Sequence, residues 1–545
     1  MFAFAAPVGT RLDPIVAEVQ ASLSSFGYEN ELISLAGLLD GVGNAPWGKL
    51  PKRGSPGYYV KRMNAGDQFR RDTDSDAILC GMAVSRVAEL RGDKPRPVAF
   101  ILRSLKHPDE ADLLRHIYGD AFWLIAVVSE PDDRAEDFAE ELSKAGGTFA
   151  DSKIEAQQLM RRDEDDQAEP HGQHVQDVFS MADVFLPSRR GHETRLDVER
   201  FLDGIYGKPF FTPSPVEEAM RLAYSASLRS AAMGRQVGAV LVPTTGSTYV
   251  TGTNEVPKPG GGQFWVGDDP DHRDFQTGSD PNPTFTARML QELLGNLAKN
   301  GWLTAEYAGL SSLELLQRAK QRNQKGVSVL HGTRADSLIE FTRCLHAEQA
   351  AIVNAARQGV LTQDALLLTT TFPCHECAKF IVGAGIRRVI YIEPYPKSMV
   401  RNLYRDLIDT KPPLPADADL GTLSAAELKK VPFSPFVGFA PHRYDDIFVA
   451  GQRREGMSVV AFDRPSAVPR SSGWNETSVH EKEATTAGAV TQLVEGVYGK
   501  PGMGTSGRAS GRAIRGRRPV PNKSAESPGA SEPQMEGQAA VSDTP

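Results

Sequence analysis

Cysteine, long apolar runs and secretion signals are all scarce or missing in this chain of 545 residues. It has four cysteines, too few for the dense disulfide framework of a small secreted protein. Its longest apolar run, residues 121–128, is far too short to cross a bilayer and predicts a buried strand instead. The first residues, MFAFAAPVG, lack the basic segment and apolar core of a secretory signal. We therefore expect a cytoplasmic protein with no membrane partner.

The chain also lacks an excess of positive charge. Its 61 Lys and Arg residues stand against 69 Asp and Glu residues, which gives a net charge of −8. An acidic protein has no overall positive field to hold nucleic acid or an anionic membrane non-specifically, so a phosphate-bearing ligand needs a local site. The remaining composition is that of a globular protein, and the length predicts two or three domains.

Strand-like and helix-like patterns alternate along the first 208 residues. Apolar segments predict strands at 2–6, 98–102, 122–128 and 178–186. Helical patterns are found at 12–26, 31–39, 58–70, 75–91 and 108–118. Such alternation predicts a parallel sheet with helices on both faces. The charged segment 163–176 is typical of a mobile flap.

We divide the chain into three parts. Residues 1–208 form the first α/β domain, and 209–465 form a second domain in which helices and strands also alternate. The tail, 466–545, has no phenylalanine and only two aromatic residues, Trp474 and Tyr498. Its composition predicts disorder.

The clearest chemical signal is His346-Ala347-Glu348 followed, after a predicted strand, by Pro373-Cys374-His375-Glu376-Cys377. One imidazole and two thiolates supply three ligands to a tetrahedral zinc ion and leave a fourth position for water. The predicted helix start at the cysteines favours thiolate. We predict His346, Cys374 and Cys377 as Zn²⁺ ligands and Glu348 as the residue that moves protons, the pattern of zinc nucleobase deaminases.

A structural zinc knuckle, or a chance CxxC pair, is the alternative interpretation. His375 lies between the two cysteines, but its side chain is expected to point away from a metal that they share. Cys344 is the other conceivable ligand, although we expect it to pack in the core. Because no further Cys or His completes the site cleanly, the sequence favours a catalytic centre.

Several segments of the second domain resemble deoxycytidylate deaminases. They are residues 236–239, 251–257, 344–348, 369–377 and 384–389. The long insertion between Asn254 and Cys344 resembles that of bacterial antiphage dCTP deaminases, in which a P-loop kinase-like domain precedes the deaminase. The resemblance implies an N-terminal P-loop kinase-like parallel sheet domain followed by a cytidine deaminase-like α/β/α domain with a mixed sheet. It also implies a homo-oligomer that converts dCTP or dCMP to the deoxyuridine nucleotide and depletes dCTP in antiphage defence.

The same resemblance implies substrate-binding residues. Asn254 is expected to hydrogen-bond the substrate near its sugar or base, although an asparagine in a turn after a strand is common. Arg235, Lys258 and Arg273 are candidates for the phosphates. Each of these three could equally be a solvated surface charge.

A nucleotide site in the N-terminal domain is less clear. Residues 43–49 match the spacing of a phosphate-binding loop up to Lys49, but no strand precedes them, Leu50 replaces the required Ser or Thr, and Pro46 removes a backbone donor. The loop after the first strand, with Gly9, Thr10 and Arg11, is better placed but lacks the lysine. We predict a regulatory nucleotide there, or a purely structural role, rather than phosphoryl transfer.

Two further functions stay open. Deamination of bases in tRNA or single-stranded DNA needs a basic surface that follows a strand, which the net charge disfavours. A regulator that senses nucleotides and has only a structural zinc is the other. A glycine-spaced arginine cluster in the tail could contact RNA or simply aid solubility; it consists of Arg508, Arg512, Arg515, Arg517 and Arg518.

Overall fold

A computed structural model describes residues 1–499 except 93–96, 165–168, 170, 190–192, 245–247, 323–327, 332, 396, 411–426 and 471–474. The described residues belong to one compact unit built around two six-stranded sheets. No helix in this described part is both long and apolar enough to cross a membrane. The arginine cluster predicted to contact RNA lies outside the described residues.

The first sheet is built from the N-terminal residues. Its elements in chain order are β1 (Phe2–Ala5), α1 (Leu12–Ser25), β2 (Glu29–Ser34), α2 (Leu35–Leu38), α3 (Tyr58–Thr73), α4 (Ile78–Arg91), β3 (Val98–Leu105), α5 (Pro108–Tyr118), β4 (Trp123–Ser129), α6 (Pro131–Ala145), α7 (Phe149–Glu164), α8 (Val175–Ser180), β5 (Val184–Ser188) and α9 (Thr194–Ile205). Strands β2, β3, β1, β4 and β5 are neighbours in that order and are all parallel.

Both faces of this sheet are buried. Along β3, Phe100 and Leu102 belong to one apolar core, while Ala99 and Ile101 belong to the core on the other face. Near-continuous burial of this kind is typical of parallel strands covered by helices on two sides. The predicted α/β architecture of the N-terminal part is confirmed.

The second sheet is mixed, and the predicted metal ligands lie at the starts of two helices of this part, α14 and α15. The elements of this part are α10 (Pro215–Ser227), β6 (Gly238–Val242), β7 (Val250–Thr253), α11 (Pro281–Lys299), α12 (Ala305–Ala308), α13 (Ser312–Lys320), α14 (Ala347–Gln358), β8 (Leu366–Thr371), α15 (His375–Gly383), β9 (Arg388–Glu393), α16 (Val400–Leu403), β10 (Ile408–Asp409), β11 (Val431–Pro435), β12 (Gly438–Phe439), α17 (Tyr444–Phe448), β13 (Arg454–Glu455), β14 (Ser458–Val459) and α18 (Glu476–Tyr498). Its strand order is β10-β11-β9-β8-β6-β7, with β6 and β7 antiparallel to their neighbours and the rest parallel.

Strand β12 does not join this second sheet. Gly438 and Phe439 pair antiparallel with Phe185 and Val184 at the edge of the N-terminal sheet. The predicted segment 209–465 therefore contributes strands to both sheets, which the alternation of patterns along the sequence could not reveal.

Three predictions about the N-terminal elements are wrong in part. Residues 31–34 of the expected helix at 31–39 belong to edge strand β2, in which only Ile33 is buried, and the helix α2 begins only at Leu35. The expected strand at 178–186 begins at Val184, because α8 continues to Ser180. The expected flap at 163–176 falls partly outside the described residues, at 165–168 and 170. Its first residue, Asp163, belongs to α7, is buried, and accepts hydrogen bonds from the Val8 N–H at 2.6 Å and Lys106 at 2.7 Å.

The prediction of disorder from residue 466 onward is wrong for α18. This helix packs against α4, where Val479 is buried and Val490 and Tyr498 contact an apolar cluster of the N-terminal part. The tail is poor in large apolar residues, but four of those in α18 pack against the N-terminal part, namely Val479, Val490, Val494 and Tyr498.

Candidate metal centre

Two helix N-termini present the predicted metal ligands. Helix α14 begins directly after His346, and α15 begins directly after Cys374, so both residues are N-caps rather than helical residues. The Cys374 sulfur accepts a hydrogen bond from the Cys377 backbone N–H at 3.4 Å. Unpaired N–H groups and the positive end of the helix dipole favour a thiolate at this position.

The three ligand atoms form a compact triangle. His346 Nδ1 lies 3.2 Å from Cys374 Sγ and 3.3 Å from Cys377 Sγ, and the two sulfurs are 3.6 Å apart. Ligands about 2.1–2.3 Å from a tetrahedral zinc lie roughly 3.5–3.8 Å from one another, so these side chains fit the metal with little adjustment. Among the described residues, His346, Cys374 and Cys377 form a group that could hold a metal ion.

Ionisation is favoured at Cys374 and disfavoured at Cys377. Hydrogen bonds with Cys377 and His346 outweigh burial and lower the pKa of Cys374 to about 4, whereas burial raises the pKa of Cys377. A bound dication would need both sulfurs as thiolates, so its binding would release the proton of Cys377.

Glu348 lies beside the ligands on the first turn of α14. Its side chain is 4% exposed, and its Oε2 atom is 3.4 Å from Cys377 Sγ. Burial, followed by the nearby Cys374 charge, raises the pKa of Glu348 to about 7. A bound dication would lower it again. A carboxylate in this position can exchange a proton with a group on the metal's open side.

Strand β7 holds α14 in place through a very close approach. A Cβ atom at Gly252 would lie 2.1 Å from the Ala347 carbonyl oxygen and 2.3 Å from the Ala351 nitrogen. Only glycine allows the strand to come this near to the helix that carries Glu348.

Glu255 is a site residue that the sequence analysis missed. It is buried, its carboxylate accepts hydrogen bonds from the Ala231 and Val256 N–H groups, and its backbone exchanges hydrogen bonds with Leu345, next to His346. It therefore fixes the chain at the start of α14. A glutamate in a loop gives no sign of this role until its burial is known.

Neither alternative ligand joins the triangle. The Cys344 thiol is directed to Asp274, with Sγ and Oδ2 3.5 Å apart. His375 Nε2 lies 3.7 Å from Glu340 Oε1.

The four residues considered for substrate binding are all engaged within the protein. The Asn254 side chain accepts a hydrogen bond from the Val237 N–H at 2.8 Å and donates one to the Arg235 carbonyl at 2.7 Å. The cations each contact a carboxylate: Arg235 contacts Glu393, Lys258 contacts Asp268 and Arg273 contacts Asp271. The structure thus brings Asn254 and Arg235 together. Lys258 and Arg273 each form an ion pair with an aspartate of the insertion instead.

Tyr395 is a second residue that the sequence analysis missed. Tyr395 packs against the apolar cluster that contains Cys374 and Cys377. Burial, followed by the charge of Cys374, raises the pKa of its phenol. It lines a cavity of about 560 Å³ between the carboxyl ends of β4 and β9, together with Phe372 and Arg401. No motif marks this tyrosine, because it comes from a loop after β9.

The predicted N-terminal nucleotide residues lie in the loop between β1 and α1. Gly9 has φ +85° and, with Thr10, lines a second cavity of about 320 Å³. The Thr10 hydroxyl is 3.1 Å from the Ser129 hydroxyl, and Arg11 pairs with Asp137 at 3.1 Å.

Residues 213–393 match a family model described as "Cytidine and deoxycytidylate deaminase zinc-binding region". The match contains the ligand triangle and Glu348. The residues and the family model agree on zinc as the metal.

Individual relatives align with a short part of the chain. The chain is 43% identical over 54 residues to the deoxycytidylate deaminase of Enterobacteria phage T2, which is 10% of this chain and 29% of that protein. It is 43% identical over 53 residues to ComE operon protein 2 of Bacillus subtilis (strain 168), which is 10% of this chain and 28% of that protein. The chain thus covers less than a third of these relatives.

A solved structure of dCMP deaminase from the cyanophage S-TIM5, in apo form, is also similar. It is 17% identical, with a TM-score of 0.19, and the alignment covers 41% of this chain and 100% of that one.

Proposed function

Because residues 213–393 carry the zinc-binding region of the cytidine and deoxycytidylate deaminase family, we propose that this chain hydrolytically deaminates a deoxycytidine nucleotide, dCTP or dCMP. The observation that carries this proposal is the ligand triangle with buried Glu348 beside it. A structural zinc site is usually closed by a fourth protein ligand, whereas three ligands and a neighbouring carboxylate suit hydrolysis.

His346, Cys374 and Cys377 would hold zinc, which when bound would act as a Lewis acid that acidifies water at neutral pH. Glu348 takes one proton from the water as its oxygen bonds to C4 and transfers this proton to N3 of the pyrimidine. Glu348 then moves the remaining proton of the new C4 hydroxyl to the 4-amino group, the C4–N4 bond breaks, and ammonia leaves while the oxygen stays on C4 as the carbonyl. The burial of Glu348 serves this exchange, because it holds the carboxylate beside the ligands, where one group can accept a proton and then donate it.

The remaining features of the proposal concern the whole protein. We place it in the cytoplasm as a homo-oligomer that depletes dCTP in antiphage defence, with a P-loop kinase-like N-terminal domain that binds a regulatory nucleotide. The arginine cluster at 508–518 keeps both interpretations, a solubilising tail or RNA contact, and rests on the spacing of its arginines alone. The oligomer, the antiphage role and the N-terminal domain rest on the sequence resemblance, and the N-terminal domain also on the parallel strand order of its sheet.

The decisive test is product analysis of the full chain with dCMP, dCTP and CTP side by side, together with Glu348→Gln. We expect uracil nucleotide from a deoxycytidine substrate, and a loss of about 10²–10⁴-fold in Glu348→Gln with zinc content unchanged. Glu292→Gln, an exposed glutamate on α11, is the matched control and should retain activity.

Two results would overturn the proposal in favour of the alternatives. Uracil formed only in tRNA or single-stranded DNA would identify a nucleic-acid deaminase. If cells that produce Glu348→Gln show the same effect as cells that produce the wild type, and the variant retains zinc, the protein is a regulator whose zinc is structural.

A further inference from the structure

A second group of metal-binding side chains lies in the N-terminal part, close to the carboxyl end of β3. Ligand atoms of Asp76, His107 and Asp109 all lie within 4.8 Å of one another. Asp76 belongs to the turn between α3 and α4, while His107 and Asp109 lie at the start of α5. All three residues are outside the region 213–393 that matches the deaminase family.

His171 adds a second imidazole from a segment that is distant in the sequence. Its Nδ1 atom lies 2.9 Å from Asp76 Oδ1. The neighbouring His174 holds this segment in place, because its backbone N–H donates to the Lys106 carbonyl at 2.8 Å. The His174 ring also makes an edge contact with the His107 ring, with centroids 5.4 Å apart. The fold thus brings two carboxylates and two imidazoles together from three segments.

Neither carboxylate has a lysine or an arginine as its partner. Within the part of the chain that the structure describes, the ion-pair contacts of Asp76 are with His107 and His171. That of Asp109 is with His107. Such pairs are ionic only where the imidazoles are protonated. The Asp76 side chain is 20% exposed, so a bound metal ion would supply a positive charge that no permanent cation provides.

The distances at Asp76 suit ligands of one metal ion. His107 Nε2 is 3.7 Å from Asp76 Oδ2, which is too long for a hydrogen bond, and His171 Nδ1 is 2.9 Å from Asp76 Oδ1. Nitrogen and oxygen ligands bind zinc at about 2.0–2.2 Å, so two ligands at an angle of about 90–110° lie roughly 2.8–3.6 Å apart. The second distance is within this range and the first is close to it. The ligand triangle of the deaminase part shows the same close approach of ligand atoms.

Asp109 lies on the other side of the His107 ring. Its backbone N–H is 3.3 Å from Nδ1, and its Oδ1 atom is 3.6 Å from the same nitrogen. When Nε2 binds a metal, the ring proton is on Nδ1 and can be donated to the Asp109 carboxylate. Histidines that bind metals almost always donate their other ring N–H to such a partner. Asp109 therefore orients the ring, and Asp76 is the carboxylate ligand.

We propose that Asp76, His107 Nε2 and His171 Nδ1 bind one divalent metal ion of the class of Zn²⁺ and Ni²⁺. Mixed imidazole and carboxylate ligands suit these ions, whereas Mg²⁺ and Ca²⁺ prefer oxygen ligands alone. Three protein ligands leave coordination positions for water. The ion attaches the residues before α8 to the start of α5 and to the turn before α4. This site is independent of the deaminase centre and of its proposed reaction.

The test is a count of the zinc ions bound to the full-length protein. The protein is incubated with a small excess of Zn²⁺, separated from free metal by gel filtration, and analysed for metal and protein content. We expect one more ion per chain in the wild type than in Asp76→Asn, His107→Asn or His171→Asn. Asparagine is the replacement of choice because it has the size of aspartate and can still cap α5 at position 107.

Three controls separate the two sites and report on folding. His116→Asn on α5 and Asp74→Asn in the turn before α4 are exposed changes that should leave the zinc count at the wild-type value. Cys374→Ser should lose the zinc of the deaminase centre and keep the N-terminal ion. Circular dichroism shows whether each variant is folded, and a variant that fails to fold is set aside in favour of the other two.

Two results would overturn the inference. The first is a wild type that binds no zinc beyond the ion that depends on Cys374, which would mean that Asp76 is paired with histidines alone. The second is an additional ion that a folded Asp76→Asn, His107→Asn or His171→Asn variant retains at the wild-type level. If the N-terminal ion is found while deamination is not, only the deaminase proposal fails.

Discussion

The guanidinium of Arg91 and the carboxylate of Glu483 lie 2.8 Å apart, although 392 residues separate them in the sequence. Glu483 is 2% exposed and also accepts a hydrogen bond from the Tyr118 hydroxyl at 2.8 Å. This carboxylate attaches α18 to α4 and α5 of the N-terminal part.

Glu483→Ala should therefore destabilise the protein. It leaves the largely buried Arg91 without its partner, and breaking one side of a buried pair costs about 3–5 kcal/mol. Urea denaturation followed by fluorescence measures the change. Glu481→Ala, exposed on the same helix, should stay within about 0.5 kcal/mol of wild type. Equal unfolding midpoints for the two variants would show that α18 is not attached through Glu483.

Asp183 should make stability depend on acid pH. Burial alone would raise its pKa, but the hydrogen bond from His442 and the charges of Arg115 and Arg443 lower it below 3.8. A carboxyl group with a lowered folded pKa contributes stability above its unfolded pKa of about 3.9, and this contribution is lost as the pH falls through the folded value.

Asp183→Asn is expected to cost about 3–5 kcal/mol at neutral pH and to flatten the fall in stability below about pH 4. Denaturation curves between pH 2.5 and 7 test both effects. Asp112→Asn, an exposed change on α5, should follow the wild-type pH profile. If the stability of Asp183→Asn fell with pH as steeply as that of the wild type, Asp183 would not be the source of the acid dependence.

Zinc binding should depend on Cys374 and Cys377 but not on Cys344. Cys374→Ser and Cys377→Ser each remove a ligand and should weaken zinc binding by more than about 100-fold, since even changes beyond the ligands cost 10–100-fold. Cys344→Ser should retain zinc, because that thiol is directed to Asp274. Elemental analysis and chelator competition give the answer, and loss of zinc from Cys344→Ser would require a different ligand set.

Gly252→Ala should disturb the metal centre without touching a ligand. The added methyl group meets backbone atoms of α14, which cannot move aside as a flexible side chain could. We expect a loss of about 1–3 kcal/mol or more in stability and weaker zinc binding. At Gly234 a Cβ meets nothing within 4 Å, so Gly234→Ala is the control. Wild-type melting temperature and zinc affinity in Gly252→Ala would contradict the close approach.

The metal ligands and most buried strands could be predicted because their signals are local. A proline and two cysteines at helical spacing place a ligand pair at a helix start, and runs such as 122–128 are apolar on both sides of a strand. Helix α18 could not be found from the composition of the tail, because its stability comes from contacts with α4 rather than from its own apolar content.

Contacts made only in the folded chain also explain why the sequence could not choose among the charged candidates for phosphate binding. Arg235, Lys258 and Arg273 were open alternatives because a cation's partner is decided by the folded chain, and each of them lies beside a carboxylate.

Strand β12 has a consequence for how the protein is made. The N-terminal sheet acquires its last edge strand only when Gly438 and Phe439 have been synthesised, long after β5 at Val184–Ser188. Until then β5 exposes unpaired backbone groups, which readily recruit strands from other molecules. During translation the nascent chain is thus vulnerable to aggregation across some 250 residues of elongation, and a fragment that stops at residue 208 would keep this vulnerability permanently.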